Sequence, residues 1–329
     1  MTSSGPQRRT VLAALATVLP SASAWAAAAA PFPSRAVRLV VPYSVGIGPD
    51  VVARSLAERL SQRWDQPVLV DNKPGASGIV AFGDVRRTAP DGHTLYLGDT
   101  ATLAVNPLLH ASLPYDPARD LTPLTLLFRA TFLLFTGGTN KLRSIPDLLA
   151  AARQAPDRVT YASLGNGHAS QLAVEVMARA AGLRMLHVPF KDAGALFTAV
   201  ASGEVDFTAF GINSVAGLVA AGKLRPLAVA ARQRLASHPE IPTLAEAGGP
   251  ALEMHPWAAL LMPVGAPAAL QARLQQDLLA AMATPEVRGR AELAGFEITP
   301  STPQGLRDRI EVDIALYRPL LDEGRITRF

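Results

Sequence analysis

Four short segments carry glycines and polar side chains that could hold a ligand. The first is Ser44-Val45-Gly46-Ile47-Gly48-Pro49-Asp50. It joins an apolar run, Arg35 to Tyr43, to a stretch with helical spacing, and its glycines let the backbone approach a bound group closely. A helix beginning there presents free N–H groups and partial positive charge, which suits an anion. The same residues also make an ordinary helix start, with Pro49 in the first turn and Asp50 favourable to the dipole. The second segment, Ser163-Leu164-Gly165-Asn166-Gly167-His168-Ala169-Ser170, repeats the arrangement. Ser163, Asn166 and Ser170 supply hydroxyls and an amide, and His168 either donates to an anion or acts as a cap. The third is Gly98-Asp99-Thr100-Ala101-Thr102, at the end of another apolar run. The fourth is Pro189-Phe190-Lys191-Asp192, where Lys191 either neutralises a carboxylate or lies in solvent, and Phe190 either stacks on ligand or joins the core.

No catalytic constellation accompanies these loops. Gly75-Ala76-Ser77-Gly78 lacks the G-x-S-x-G spacing of a nucleophile elbow. Histidines at 93, 110, 168, 187, 238 and 255 are scattered, with no H-E-x-x-H pair. Cysteine is absent, which rules out disulfides, thiolate metal sites and a Cys nucleophile. No catalytic residue, metal or cofactor is expected. One enzyme reading stays open as the alternative: an exported dinucleotide-dependent oxidoreductase. Gly46-Ile47-Gly48 after a strand, with Asp71 closing the next, half matches a dinucleotide fingerprint, but Val51 stands at the third glycine position.

The elements that must carry these loops alternate. Strands are expected at Arg35–Tyr43, Pro67–Asp71 and Thr94–Gly98, with helices at Asp50–Trp64 and Ser77–Thr88. A second block repeats the pattern, with strands at Val159–Leu164, Arg184–Phe190, Val205–Phe210 and Leu224–Ala231. Its helices, Ala169–Ala181, Ala193–Ser202 and Asn213–Ala221, each stop at a glycine. This is the signature of parallel βαβ units. Apolar segments Leu121–Phe128 and Phe132–Phe135 suit strands passing between two lobes. Another follows at Trp257–Met262, before helices at Pro267–Ala283, Pro285–Ala294 and Pro303–Leu321 that either return to the first block or form a cap. Ligands of open α/β sheets bind beyond the carboxyl ends of the strands, so the cleft between lobes is the natural site.

A chain of 329 residues, about half of them apolar, is long enough for two domains and a sizeable core. Its 31 Lys and Arg against 27 acids are dispersed, with no basic block that would track nucleic acid. Residues 1–26 read as an export signal: Arg8 and Arg9, the short apolar run Val11–Leu19, then Ala24-Trp25-Ala26 as an A-x-A-like cleavage site. The arginine pair leaves Sec and twin-arginine export both open. Cleavage removes two arginines and no acid, lowering the net charge from +4 to +2. No other segment is long and apolar enough to span a bilayer, so the mature protein is expected in the periplasm without stable membrane insertion.

Several motifs occur in order along nearly the whole mature chain: RLVVPY (38–43), QPVLVDNKPGASG (66–78), APDGHTL (89–95), NPLLHASLPYDPARDLTPL (106–124), YASLGNGHASQLAVE (161–175), HVPFKD (187–192), AAGKLRPLAVAA (220–231) and PEIPTLAEAG (239–248). In them the chain resembles the Bug family, the periplasmic receptors of tripartite tricarboxylate transporters. The resemblance implies an α/β, two-lobed periplasmic binding protein fold (type II-like) with the ligand cleft between lobes. Lobe 1 is then 27–125 plus 251–329, and lobe 2 is 126–250. It implies a receptor, not an enzyme, that closes on a small organic anion and serves a membrane permease or a sensor kinase. Carried over residue by residue, the binders are Tyr43, Ser44, Gly46, Ile47, Gly48 and Asp50 of the first loop, Thr100 and Thr102, then Ser163, Asn166, His168, Phe190 and Lys191. Four departures from the family pattern stand out. Ile47 replaces a glycine and Pro49 removes a donor. Phe190-Lys191-Asp192 replaces Tyr-Lys-Gly. His168 replaces Ser or Thr. Gly211 replaces a common acid, which argues against an amino-acid ligand and for a less polar one.

Overall fold

The computed structural model describes Met1, Thr2 and residues 32–328. Apart from those first two residues, the export signal expected over 1–26 lies outside the described residues.

The apolar runs become strands; those inside the sheets, such as Val37–Val41 and Thr94–Asp99, are buried on both faces, while the edge strands Val68–Asn72 and Leu186–Pro189 are partly exposed. The chain begins β1 (Val37–Val41), α1 (Gly48–Trp64), β2 (Val68–Asn72), α2 (Ile79–Val85) and β3 (Thr94–Asp99). A π-helical turn, Ala101–Val105, then leads into α3 (Asn106–Leu109), α4 (Pro117–Asp120) and β4 (Leu121–Ala130). The second block runs β5 (Leu133–Gly137), α5 (Ile145–Gln154), β6 (Thr160–Ser163), α6 (Ala169–Ala180), β7 (Leu186–Pro189), α7 (Ala193–Ser202), β8 (Phe207–Phe210), α8 (Ala216–Ala220) and β9 (Leu224–Val229). The chain closes with β10 (Trp257–Pro263), α9 (Ala268–Met282), α10 (Pro285–Leu293), β11 (Phe296–Ile298) and α11 (Pro303–Asp322).

Two sheets result, ordered β11-β4-β10-β3-β1-β2 and β7-β6-β8-β5-β9. In each, three parallel strands (β2-β1-β3 and β7-β6-β8) are followed by one antiparallel strand, β10 or β5, that has arrived from the other lobe. The two crossing segments lie side by side and share a ladder. Ala130 N donates to Pro256 O at 2.8 Å, Phe132 N to Met254 O at 3.3 Å, and Ala230 N to Phe132 O at 2.9 Å.

The final helices return to the first lobe. Trp64 Nε1 on α1 donates to Asp277 on α9 at 2.8 Å, and α10 also packs on α1. Helix α11 lies along β4, and Trp257 Nε1 of β10 donates to its buried Asp313 at 2.6 Å. Its far end packs instead on α6 of the second lobe, where Leu320 and Ile326 meet Leu172 and Val176.

Candidate functional site

A cavity of about 390 Å³ opens where the loops after β1, β3 and β6 converge on the crossing segments. From the first lobe come Tyr43, the turn Gly75–Gly78, and Asp99, Thr100 and Ala101; from the second come Leu164 and Asn166 through Ala169. Phe132, Trp257 and Phe296 make its aromatic walls. Two glycines permit the loops to close up this far. Gly78 (φ +86°) and Gly167 (φ +74°) sit where a Cβ would overlap Thr102 Cγ2 and Leu109 Cδ1 respectively, and both adopt the left-handed region that side chains resist.

Of the thirteen residues expected at the site, Tyr43, Thr100, Asn166 and His168 line this cavity. The Tyr43 hydroxyl donates to Asp99 Oδ2 at 2.5 Å, and burial together with the Asp99 carboxylate pushes its pKa well above 10. Thr100 Oγ1 accepts from Trp257 N at 3.1 Å and so ties the end of β3 to the start of β10. Asn166 Nδ2 donates to Thr327 O at 2.7 Å, bringing the C-terminal tail to the cavity rim. His168 is the N-cap of α6, its Nδ1 accepting from Ser170 N at 3.1 Å. Burial lowers its pKa from 6.5 to about 4, so the ring is neutral near pH 7, with Nδ1 an acceptor and Nε2–H its donor.

The other nine lie elsewhere. Asp50 is fully buried and clasps its own loop. Its Oδ2 accepts from Gly46 N (2.8 Å) and Arg54 Nε (2.9 Å), and Oδ1 accepts from Asn72 Nδ2 (2.8 Å). Burial alone would raise its pKa, but the bonds from Arg54, Gly46 and Asn72 pull it below the usual carboxylate range. Held by that clasp, Ser44 and Ile47 are exposed, and Gly46 and Gly48 face a separate groove beside Asn213 and Leu293. Thr102 is buried beneath Asp99, its Oγ1 donating to Oδ1 at 2.8 Å. Ser163 is buried against His187 Nε2 at 2.5 Å. Phe190 packs on the core of the second lobe, and Lys191 is exposed.

Asp99, inside the third loop segment, also lines the cavity and stands outside the thirteen expected residues. Its signal was the spacing to Thr102: Asp99 Oδ1 accepts from Thr102 N (2.8 Å) while Thr102 Oγ1 accepts from Asp99 N (3.0 Å), a reciprocal cap of the π-helical turn. The wall residues Phe132, Trp257 and Phe296 carried no local signal, because the crossing segments and β11 bring them together.

The arrangement can enclose a small, largely apolar molecule and offer it a few hydrogen bonds. Among the described residues no group of three or more His, Asp or Glu side chains could hold a metal ion. None of the helices described is long and apolar enough to cross a membrane. Asp71, which a dinucleotide fingerprint would place on a ribose, pairs instead with Arg38 at 3.0 Å.

Comparison with known proteins agrees with this architecture. The family model described as tripartite tricarboxylate transporter family receptor matches residues 52–323. A Pseudomonas sp. (strain P51) protein, the UPF0065 protein in the tcbD-tcbE intergenic region, is 31% identical over 97% of this chain and 95% of its own. Protein BugT of Bordetella pertussis is 29% identical over 89% and 90%. The solved structure of R. palustris Rpa4515 with adipate superposes with a TM-score of 0.78 at 30% identity, covering 91% of this chain and all of that one.

Proposed function

Because the chain belongs to the tripartite tricarboxylate transporter receptor family, whose members are periplasmic solute-binding receptors and not enzymes, we propose that it captures a small carboxylate between its lobes for a membrane permease. The observation that carries this reading is the half-open cavity with loops of both lobes in its walls. It is the kind of site that lobe closure completes. A relative of the same fold that was solved with adipate supports the choice of ligand class.

In this reading Tyr43, Thr100, Asn166 and His168 touch the ligand. Ser44, Gly46, Ile47, Gly48, Asp50, Thr102, Ser163, Phe190 and Lys191 shape or surround the site without lining it. The lobes are 27–125 with 251–329, and 126–250, with each boundary moved to the crossing so that β4, paired in the first sheet as far as Ala130, stays whole in the first lobe. The hydrogen-bonded crossings at Ala130–Phe132 and Met254–Pro256 serve as the hinge. Signal cleavage falls near Ala26, and a sensor kinase is a second possible recipient of the loaded receptor.

Calorimetry of the mature protein against a panel of small mono- and dicarboxylates, with small-angle scattering in parallel, tests the proposal. Saturable one-to-one binding with a smaller radius of gyration is expected. A panel that neither binds nor compacts the protein refutes it.

A further inference from the structure

The cavity carries a charge balance that a simple carboxylate receptor would not choose. Asp99 ends β3 with its carboxylate in the cavity wall and is only 9% exposed. Every donor to that carboxylate is neutral: Tyr43 OH on Oδ2, and Thr102 N and Oγ1 on Oδ1. Among the described residues lining the cavity there is no Lys and no Arg, and Asp99 is the one acid. His168, across the cavity, is the cap of α6 and already uses Nδ1 on Ser170. The remaining wall is mostly hydrocarbon and aromatic ring, so charges inside it are weakly screened.

In such a space a second carboxylate on the ligand meets a like charge with no cation to offset it. A cationic group on the ligand meets an acceptor that has a hydrogen-bonding site to spare, since a carboxylate accepts about four bonds. The other lobe offers the reverse polarity: Ser170, Gln171 and Leu172 N are already bonded to His168, but the start of α6 keeps its partial positive charge and His168 keeps Nε2–H as a donor on the cavity, which together suit one carboxylate. We infer that the ligand is a zwitterion, a small amino carboxylate with an apolar body, whose cationic nitrogen is held by Asp99 while its carboxylate faces the start of α6. This inference rests on the receptor reading above. It also revises the expectation drawn from Gly211. The acid missing there after β8 has a counterpart on the opposite lobe, at the end of β3.

Asp99 has a second duty as the cap of the π-helical turn, and the two duties separate cleanly. Asn caps as well as Asp and keeps the shape, but it removes the charge. The experiment is calorimetry at pH 7 on the mature protein and on Asp99→Asn. One matched set is 6-aminohexanoate, hexanoate and adipate, which differ in the group at one end. The other is phenylalanine against 3-phenylpropanoate. In at least one set the ammonium-bearing member is expected to bind at least about tenfold tighter than its partners. Asp99→Asn should weaken it by about ten- to a hundredfold, the cost of a lost bond to a charged group, and should leave the members without an ammonium as tight or tighter. An ammonium member that is no tighter in either set overturns the inference and leaves the receptor intact. A preference that survives Asp99→Asn overturns the role of Asp99. Failure of every probe to bind overturns the receptor reading and this one with it. If Asp99→Asn does not fold, the wild-type ranking alone decides.

Discussion

Asp50 shows how a residue can look like a ligand contact in sequence and act as a structural clasp. Its carboxylate is fully buried, yet it gathers an amide N–H, a guanidinium and a side-chain amide from three points of the first lobe. A buried carboxylate survives only with such partners. Asn72, one of them, also donates to Tyr43 O at 3.0 Å, so the clasp reaches the cavity through the backbone rather than by contact. Asp50→Ala is therefore expected to cost stability first. The loss is about 1.5–3 kcal/mol, the range for bonds to a charged group, with only a small change in ligand affinity. Urea denaturation and calorimetry on the same sample check this. A normal denaturation midpoint with abolished binding would return Asp50 to the binding site.

The elements were legible wherever local sequence decides them. The run Val37–Val41 is apolar enough to be a buried strand, and Gly182, Gly203 and Gly222 stop their helices as read. Helix α5 is not among the expected helices although its start signals are present: Ser144 caps it, accepting from Asp147 N at 3.2 Å, and Pro146 follows in the first turn. Strand β11 is different. Its three residues are a strand because they pair with β4 far away in sequence, and no local pattern announces that. That pairing brings Phe296 to the cavity, as the pairing of β10 with β4 brings Trp257. One consequence at this scale concerns acid. His168 at the start of α6 and His187 on β7 are both lowered by burial from 6.5 to about 4. The fold holds them neutral, whereas the unfolded chain protonates them once the pH drops below about 6.5. Their contribution to stability is complete above that value and is lost progressively down to about pH 4. The urea midpoint should fall across that window. His168→Asn keeps a capping side chain and cannot titrate, so it should flatten part of the slope. An identical slope in the variant would mean that His168 is protonated in the fold as readily as in the unfolded chain.

At the scale of the whole molecule, two connections join the lobes by different means. The crossing segments share backbone hydrogen bonds and can bend, as hinges do. Helix α11 is the stiffer one. Leu306 near its start packs with Val40, Tyr96 and Trp257 of the first lobe, while the tail beyond its end is fastened to the second. Arg325 makes that fastening, donating to Glu175 Oε2 at 3.3 Å and to Leu183 O at 3.0 Å, with Arg179 and Glu323 adding an outer pair at 2.7 Å. Glu175 is buried, which pushes its pKa up, and Tyr161 and Arg325 hold it partly back. Removing the cation therefore leaves a buried carboxylate with the Tyr161 phenol as its hydrogen-bond donor and only the more distant charge of Arg184 to offset it. Arg325→Met should cost about 3 kcal/mol at pH 7, at the lower end of what breaking one side of a buried pair costs. The cost should shrink as the pH falls, because protonating Glu175 relieves it. Adding Glu175→Gln should recover most of the loss at pH 7. The outer pair is half exposed and screened by water, so Arg179→Met should do little. Because Asn166 at the cavity donates to Thr327 O, slackening the tail should also weaken ligand binding severalfold. Urea denaturation of the four proteins at pH 5 and pH 7, followed by calorimetry, measures both effects. A loss in Arg325→Met that is independent of pH and is not recovered by Glu175→Gln would show that packing of the tail, not charge, joins α11 to the second lobe.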